Sequence, residues 1–296
     1  MRKTKGEKIF LVINVVFLIL FSVVMLYPYL NQLAMSFNEG ADTAKGGITI
    51  FPREFTLMNY RTVFKNKNLI NAAFISVSKT VLHTLLGVLV CYSAAYAMTR
   101  RDMPYKKKIT WYLMLPGYLP AGMIPVYILY RYLGLINSFW VYILPSLFIF
   151  YNFVVMRSFL QEIPESIEES AKIDGANDIT IMFKIIVPLS LPVIATVALW
   201  LAVSSWNSWT DTLMYITKKK LYSLQYMMMK LIKETEMAQQ MAMQAAITGE
   251  NVSEMAVTSD AVTSATLIIT TLPIIIVYPF LQKYFVKGVT VGAVKG

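Results

Sequence analysis

Histidine and cysteine, two residue types that carry much enzyme and metal chemistry, are nearly absent from this 296-residue chain. His83 is its one histidine and Cys91 its one cysteine, so they can build neither a metal centre nor an internal disulfide. His83 lies beside Thr84 in an apolar run and reads as a satisfied or headgroup-facing side chain; Cys91 reads as inert packing. No Ser–His–Asp set and no carboxylate pair falls within an apolar run. No GxxxxGK[ST] occurs, so the chain has no phosphate cradle and a nucleotide would have to be handled elsewhere. Two groups of polar residues remain. One is the acidic run 162–178. The other is Trp206, Asn207, Trp209 and Asp211, with Trp200, Tyr118, Tyr127 and Tyr130, whose ring faces can stack on sugar rings and whose amide and carboxylate can bond hydroxyls. Interfacial anchoring accounts for Trp209 equally well.

The elements that position these residues are apolar. Of the chain, 56% is hydrophobic and only 15% charged, well below the quarter usual for a soluble domain. Runs at 9–30, 72–98, 109–130, 139–156, 185–209 and 262–281 are long enough to cross about 30 Å of hydrocarbon, which takes about 20 helical residues. Period-2 alternation is absent, which argues against a barrel. The fold class expected is therefore all-α, a polytopic membrane protein of six spans. The basic residues ahead of the first run imitate a signal peptide, but its 22 apolar residues and the Tyr27-Pro28-Tyr29 that follows favour a retained span. Lys79, near the start of the second run, is expected to reach toward the outer headgroups.

The net charge of +10 divides unevenly. With the N-terminus inside, residues 1–8, 99–108, 157–184 and 282–296 hold 15 of the 27 Lys and Arg in roughly 60 positions, about twice the density elsewhere. Both termini are thus expected in the cytoplasm, with 31–71 and 210–261 outside. A membrane, rather than nucleic acid, accounts for the basic balance. Met227 through Met243 reads as an amphipathic helix with methionine as gap filler, or as an adaptable external surface; Gly249 and the Ser/Thr run after it read as loop. Prolines and glycines at Pro116, Gly117, Pro120, Gly122 and Pro125, and at Pro273 and Pro279, are expected to interrupt the third and sixth spans, as kinks or along a substrate path.

The acidic run reads IPESIEESAKIDGANDITIMFKIIVPLSLP over residues 163–192. Pro164 suits a first helical turn, and Glu165, Glu168 and Glu169 complement the positive end of its dipole. Ile163, Ile167 and Ala171 form a stripe at four-residue spacing. Asp174-Gly175 offers a stop, and Asn177 or Asp178 a cap for a second helix that carries Ile185 and Pro188 into the membrane. The product is a helix–turn–helix, either a solvated loop or a docking knob for a soluble partner.

Glu169-Ser170-Ala171, Gly175, Ile185 and Val187-Pro188 have the spacing of the EAA motif, and the chain resembles the membrane subunits of ABC importers. Its wider form, with the ending from Gln282 to Gly296 and with Trp206 to Trp209, is similar to the maltose-type carbohydrate permeases on their MalG/LplC-like side. Ser170 and Val187 depart from the usual alanine and leucine. The resemblance implies a MetI-like type I permease fold and a coupling hairpin, with Glu168, Glu169, Ser170, Ala171, Asp174, Gly175, Ala176, Ile185 and Pro188 meeting an ATPase. It implies as partners a second, MalF-like permease subunit, a MalK/MsmX-like ATPase homodimer and a lipoprotein binding protein of a Gram-positive cell, with an oligosaccharide, foremost a uronic-acid-containing one, as cargo. It implies no enzyme activity of the chain's own, with ATP and Mg held by the ATPase. Trp206, Asn207, Trp209, Asp211, Tyr118 and Tyr127 are the substrate-path candidates. A membrane transferase, with Asp211 and Arg131 as unpartnered polar residues, and a secondary carrier are the rival readings.

Overall fold

The computed structural model describes residues 4–100, 102–119, 121–248 and 259–293; for 242, 243, 245–248, 259 and 280–293 it describes the backbone alone. The loop expected at Gly249, and the side chains of the tail, lie outside the described residues. Among the described residues the chain is helical, with one isolated bridge between Asn38 and Phe55. It forms two compact units, Met1–Ile70 with Met227–Leu272, and Asn71–Tyr226 with Pro273–Gly296.

In the first unit, helix α1 (Lys5–Ser36) opens on a capping box in which Thr4 and Glu7 satisfy each other's backbone amides. Its apolar residues are exposed on every side, Ile13, Leu20 and Val24 among them, which fits hydrocarbon rather than water as the surrounding medium. A polar cap follows, with the short helices α2 (Gly40–Ala44) and α3 (Met58–Lys65). The buried Asn38 organises it. Its amide donates to Asp42 (3.0 Å) and Thr43 (3.1 Å), and its oxygen accepts the amides of Arg53 and Glu54, both at 2.8 Å. Arg53 closes the loop onto Asp42 Oδ2 (2.9 Å) and the carbonyls of Asp42 and Gly46.

The second unit is built around α4 (Lys67–Thr99). Three of the expected spans are bent pairs rather than single helices. The third is α5 (Lys106–Tyr118) and α6 (Met123–Tyr132), at 113° to each other, with Gly122 at φ +84° before α6. The fourth is a 3₁₀ segment (Phe139–Ser146) and α7 (Phe150–Leu160), bent by 49°. After α8 (Glu165–Ile173), the fifth is α9 (Asp178–Leu189), with a π stretch at Met182–Ile186, and α10 (Leu191–Asn207), bent by 84° at Ser190. The bend places Ser190 fully inside, where its hydroxyl donates to the Ile186 carbonyl at 2.7 Å and accepts from Tyr92 at 3.1 Å. Protein groups thus meet the backbone there, as a broken helix in lipid requires. Helix α11 (Thr210–Tyr215) completes this stretch; α12 (Leu224–Thr248) belongs mostly to the first unit, and α13 (Ser259–Ala293) is divided between the two after Leu272.

The last helix corrects one expectation. Pro273 and Pro279 lie inside α13 without ending it. Without water, stopping would strand several backbone groups, whereas continuing leaves one carbonyl short at each proline. Among the described residues, helices α1, α4 and residues 260–279 of α13 are each long and apolar enough to cross a membrane, and counting each bent pair as one span gives six.

Candidate functional site

The acidic run folds into the hairpin α8–α9. Pro164 stands just before the first turn rather than within it. Asp174 caps the end of α8, and Gly175 follows at φ +81°, in the left-handed region that side chains other than glycine's enter only with strain. The Gly175 amide reaches the Lys172 carbonyl (3.0 Å) and the Ala176 amide the Ala171 carbonyl (3.0 Å), the paired bonds of a Schellman stop. Asn177 then caps α9, accepting from the Thr180 amide at 2.8 Å. No atom lies within 4 Å of where a Cβ on Gly175 would stand, so its need for glycine comes from the backbone angle alone.

The expected apolar stripe is turned inward. Ala171 is buried in a core with Met156, Leu160, Ile181 and Ile186, and Ile163, Ala176 and Ile185 pack against it. The face left outside carries Glu165, Glu169 and Ser170, and Asp174, Gly175 and Pro188 are also exposed. Ile173 (86% exposed) and Ile179 (69%) flank the turn, so the apolar tip of the hairpin is made by two residues outside the stripe. A side chain cannot serve both the core and a partner; burial of 171 leaves 173, about 200° round the helix, pointing away.

The hairpin is fixed by a residue that sequence reading counted only as cytoplasmic charge. Arg100, at the end of α4, donates one guanidinium nitrogen to Glu168 and to the Tyr96 hydroxyl (3.1 Å), and the other to Asp178 at 2.6 Å. It also lies over the Tyr96 ring, 5.3 Å from its centre. Thus one arginine holds both helices of the hairpin. Together with Thr99, Glu169 and Lys172, it lines a cleft of about 560 Å³ at the hairpin's base.

At the other end of α10 lie the aromatic and polar candidates. Trp206 is buried and lines a small apolar crevice with Thr80, Leu199 and Pro273, while Asn207 is exposed at the end of α10. Trp209 is half-buried, and Asp211 accepts from the Ser208 hydroxyl. Tyr127 stacks on Tyr215 (6.2 Å between centres), and Tyr130 meets the same ring at 5.0 Å. Burial pushes the Tyr215 hydroxyl above its usual pKa, and the Asp211 carboxylate adds to the shift. The structure thus groups Tyr127 with Asp211 around Tyr215, a residue not singled out from sequence. Tyr118 stands apart, exposed on the far side of the 113° bend.

Lys79 corrects a second expectation. Instead of reaching the headgroups it is 1% exposed, donates to the Ser208 carbonyl at 2.7 Å and lies 5.0 Å from the centre of the Tyr142 ring. The Tyr142 hydroxyl donates to the Leu221 carbonyl (2.7 Å) and bonds Thr212 (2.8 Å), which bonds Ser223 (2.9 Å). The C-terminal carbonyl of α10 and a ring face replace the water that the ammonium loses. His83 meets Ser146 through Nε2, at 3.0 Å to its hydroxyl and 3.1 Å to its carbonyl. Among the described residues no group of three or more His, Cys, Asp or Glu could hold a metal.

Residues 1–291 match the family model described as binding-protein-dependent transport system inner membrane component. Protein LplC of Bacillus subtilis is 33% identical, over the whole of this chain and 98% of its own length. The polygalacturonan/rhamnogalacturonan transport system permease protein YtcP of the same organism is 32% identical, over 95% of this chain and 96% of its own. Among solved structures, a chain from a bacterial ABC transporter involved in the import of the acidic polysaccharide alginate superposes with a TM-score of 0.83 at 26% identity, covering 96% of this chain and 99% of that one.

Proposed function

The chain belongs to the family of binding-protein-dependent transport inner membrane components, and from that premise we propose how it is driven and what it carries. It is a permease subunit of a sugar or oligosaccharide ABC importer and not an enzyme. The family implies a second permease subunit, ATPase subunits and a solute-binding protein beside it.

In our reading the hairpin α8–α9 is the dock for the ATPase, with the N-terminus, the hairpin and the tail in the cytoplasm. The observation that carries it is a turn fixed by Gly175 whose inner face is packed on the chain's own core and whose outer tip exposes Ile173 and Ile179. Apolar residues rimmed by carboxylates, on a two-helix element whose turn is closed by its own backbone bonds, suit insertion into a cleft on a soluble partner. ATP and Mg would be held by that partner.

The cargo we favour is a uronic-acid-containing oligosaccharide. YtcP is named for polygalacturonan and rhamnogalacturonan and the superposed transporter for alginate, all acidic glycans. The exposed Lys218, Lys219 and Lys220 would raise the local concentration of an anionic ligand at what we take as the outer face. Asn207, with Tyr127 and Asp211, is the first candidate to meet it. The Bacillus relatives support a Gram-positive setting with a lipoprotein binding protein. Cells carrying the complete importer should accumulate labelled oligogalacturonate and not neutral galacto-oligosaccharide of equal length. Uptake of the neutral sugar alone would overturn the cargo assignment and leave the dock standing. Asn207→Ala should weaken apparent affinity about twofold to tenfold, the worth of one hydrogen bond of 0.5–1.5 kcal/mol.

A further inference from the structure

Helix α4 is tied to one other stretch of chain at both of its ends and near its middle. At one end, the Asn71 amide donates to the Lys220 carbonyl (2.7 Å), the Ser76 hydroxyl accepts the Leu224 amide (2.8 Å), and Lys79 donates to the Ser208 carbonyl (2.7 Å). These three side chains hold the segment 208–224. Near the middle, Tyr92 donates to Ser190 at the break between α9 and α10, and Gly87 lets Leu201 come so close that a Cβ there would stand 3.1 Å from it. At the other end, Arg100 holds Glu168 and Asp178, the latter being the first residue of α9. Lys79 and Arg100 are 21 residues apart, about 32 Å along a helix, which is close to the thickness of the hydrocarbon layer. Each cation therefore clasps the fifth span at one of its two ends.

We propose that α4 is the rod that carries displacement of the hairpin across the membrane to the segment 208–224, with Arg100 at its C-terminal end and Lys79, about three turns in from its start, as positioning residues. The fifth span could not do this alone, since it is bent by 84° at Ser190 and contains a π stretch, both places where a push is absorbed as bending. Helix α4 has no proline and no break over 33 residues. Clasping a broken helix to an unbroken one makes the pair move together. The two cations suit the task because each reaches partners on another element while its stem stays packed; Lys79 is 1% exposed and the Arg100 side chain 14%.

This inference rests on reading the hairpin as the ATPase dock, and its test is separable from that reading. Spin labels on Ser166→Cys, in the hairpin, and Lys219→Cys, in the far segment, would be measured in the assembled importer with Cys91→Ser as background. The expected result is one narrow distance that agrees within ~2 Å between the nucleotide-free and vanadate-trapped states. A change beyond about 5 Å, one helical turn, would overturn the rod even if the ATPase is bound. Arg100→Gln should broaden the distance and lower sugar moved per ATP about tenfold, with basal ATP hydrolysis kept and Arg100→Lys partly restoring coupling. Unchanged sugar moved per ATP in Arg100→Gln and in Lys79→Met would also overturn it. If either variant fails to assemble, the parent distance decides alone. Failure of the dock shows separately, as an ATPase that does not contact the hairpin.

Discussion

The cap between α1 and α3 and the hairpin α8–α9 are built from similar parts. Each has an arginine on an aspartate, a side-chain amide capping or bracing a turn, and glycine at positive φ. They differ in where the arginine's partners lie. Arg53 bonds residues 7 to 11 positions away, so removing it affects the cap alone. Arg100 bonds residues 68 and 78 positions away, across three helices. The same chemistry makes a self-contained knot in one place and a link between elements in the other. An ion pair's role is read from the sequence separation it closes, because short closures stabilise a loop while long ones fix how elements move together.

Equivalent substitutions in the two regions should therefore give unequal effects. The largest difference is expected at the glycines. Gly175→Val forces a branched side chain into the left-handed region, at about 1–2 kcal/mol or more, and should nearly abolish uptake as the ATPase ceases to co-purify. Gly46→Val, at φ +72° in the cap, carries the same strain and should leave uptake within about twofold. Equal losses in the two variants would break the contrast.

A smaller difference is expected at the arginines. A charged hydrogen bond lost from a mostly buried arginine such as Arg100 (14% exposed) costs about 1.5–3 kcal/mol at its Glu168 end, and less at the exposed Asp178 end and at the half-exposed Arg53. Arg53→Gln should loosen the cap, seen as faster amide exchange at residues 42–46, without changing sugar moved per ATP. A loss of coupling from Arg53→Gln comparable with that from Arg100→Gln would show that the cap is mechanically linked after all.

The smallest effect is one of pH. The Asn38 amide first, and then Arg53, hold the Asp42 carboxyl below its ordinary value of 3.8, against an opposing push from burial. A lowered carboxylate pKa means stability that is fully present above the unfolded value and lost as pH falls through the folded one. Protection of the Arg53 and Glu54 amides, corrected for intrinsic exchange, should stay level from neutrality to about pH 4 and fall below it. In Asp42→Asn that acid-dependent fall should disappear.

Much of this was legible in the sequence, unevenly. The six apolar runs and the Asp174-Gly175-Asn177 stop and cap follow from local chemistry, so composition and spacing revealed them. The inward turn of Ile163 and Ala171 could not be seen, because a four-residue stripe marks an apolar face without saying whether core or partner covers it. Lys79 looked like a headgroup residue because a span's own sequence does not show that the Ser208 carbonyl comes to meet it. Pro273 looked like a break because proline signals assume water to take up the freed carbonyl. Arg100 disappeared into a charge count, since its partners lie far along the chain. One clue existed: the only strongly acidic run falls on the same expected side as the most basic short loop, 99–108.

The proposed meeting point of this chain with its ATPase is the hairpin tip, and crosslinking tests it directly. Benzoylphenylalanine placed at position 179 and, as a control in the cap, at position 51 would be photolysed in membranes holding the complete importer. Ile179 and Phe51 are both exposed, so accessibility alone does not favour either. An adduct with the ATPase is expected from position 179 and none from position 51. An importer still active in uptake that yields no ATPase adduct from position 179 would contradict it.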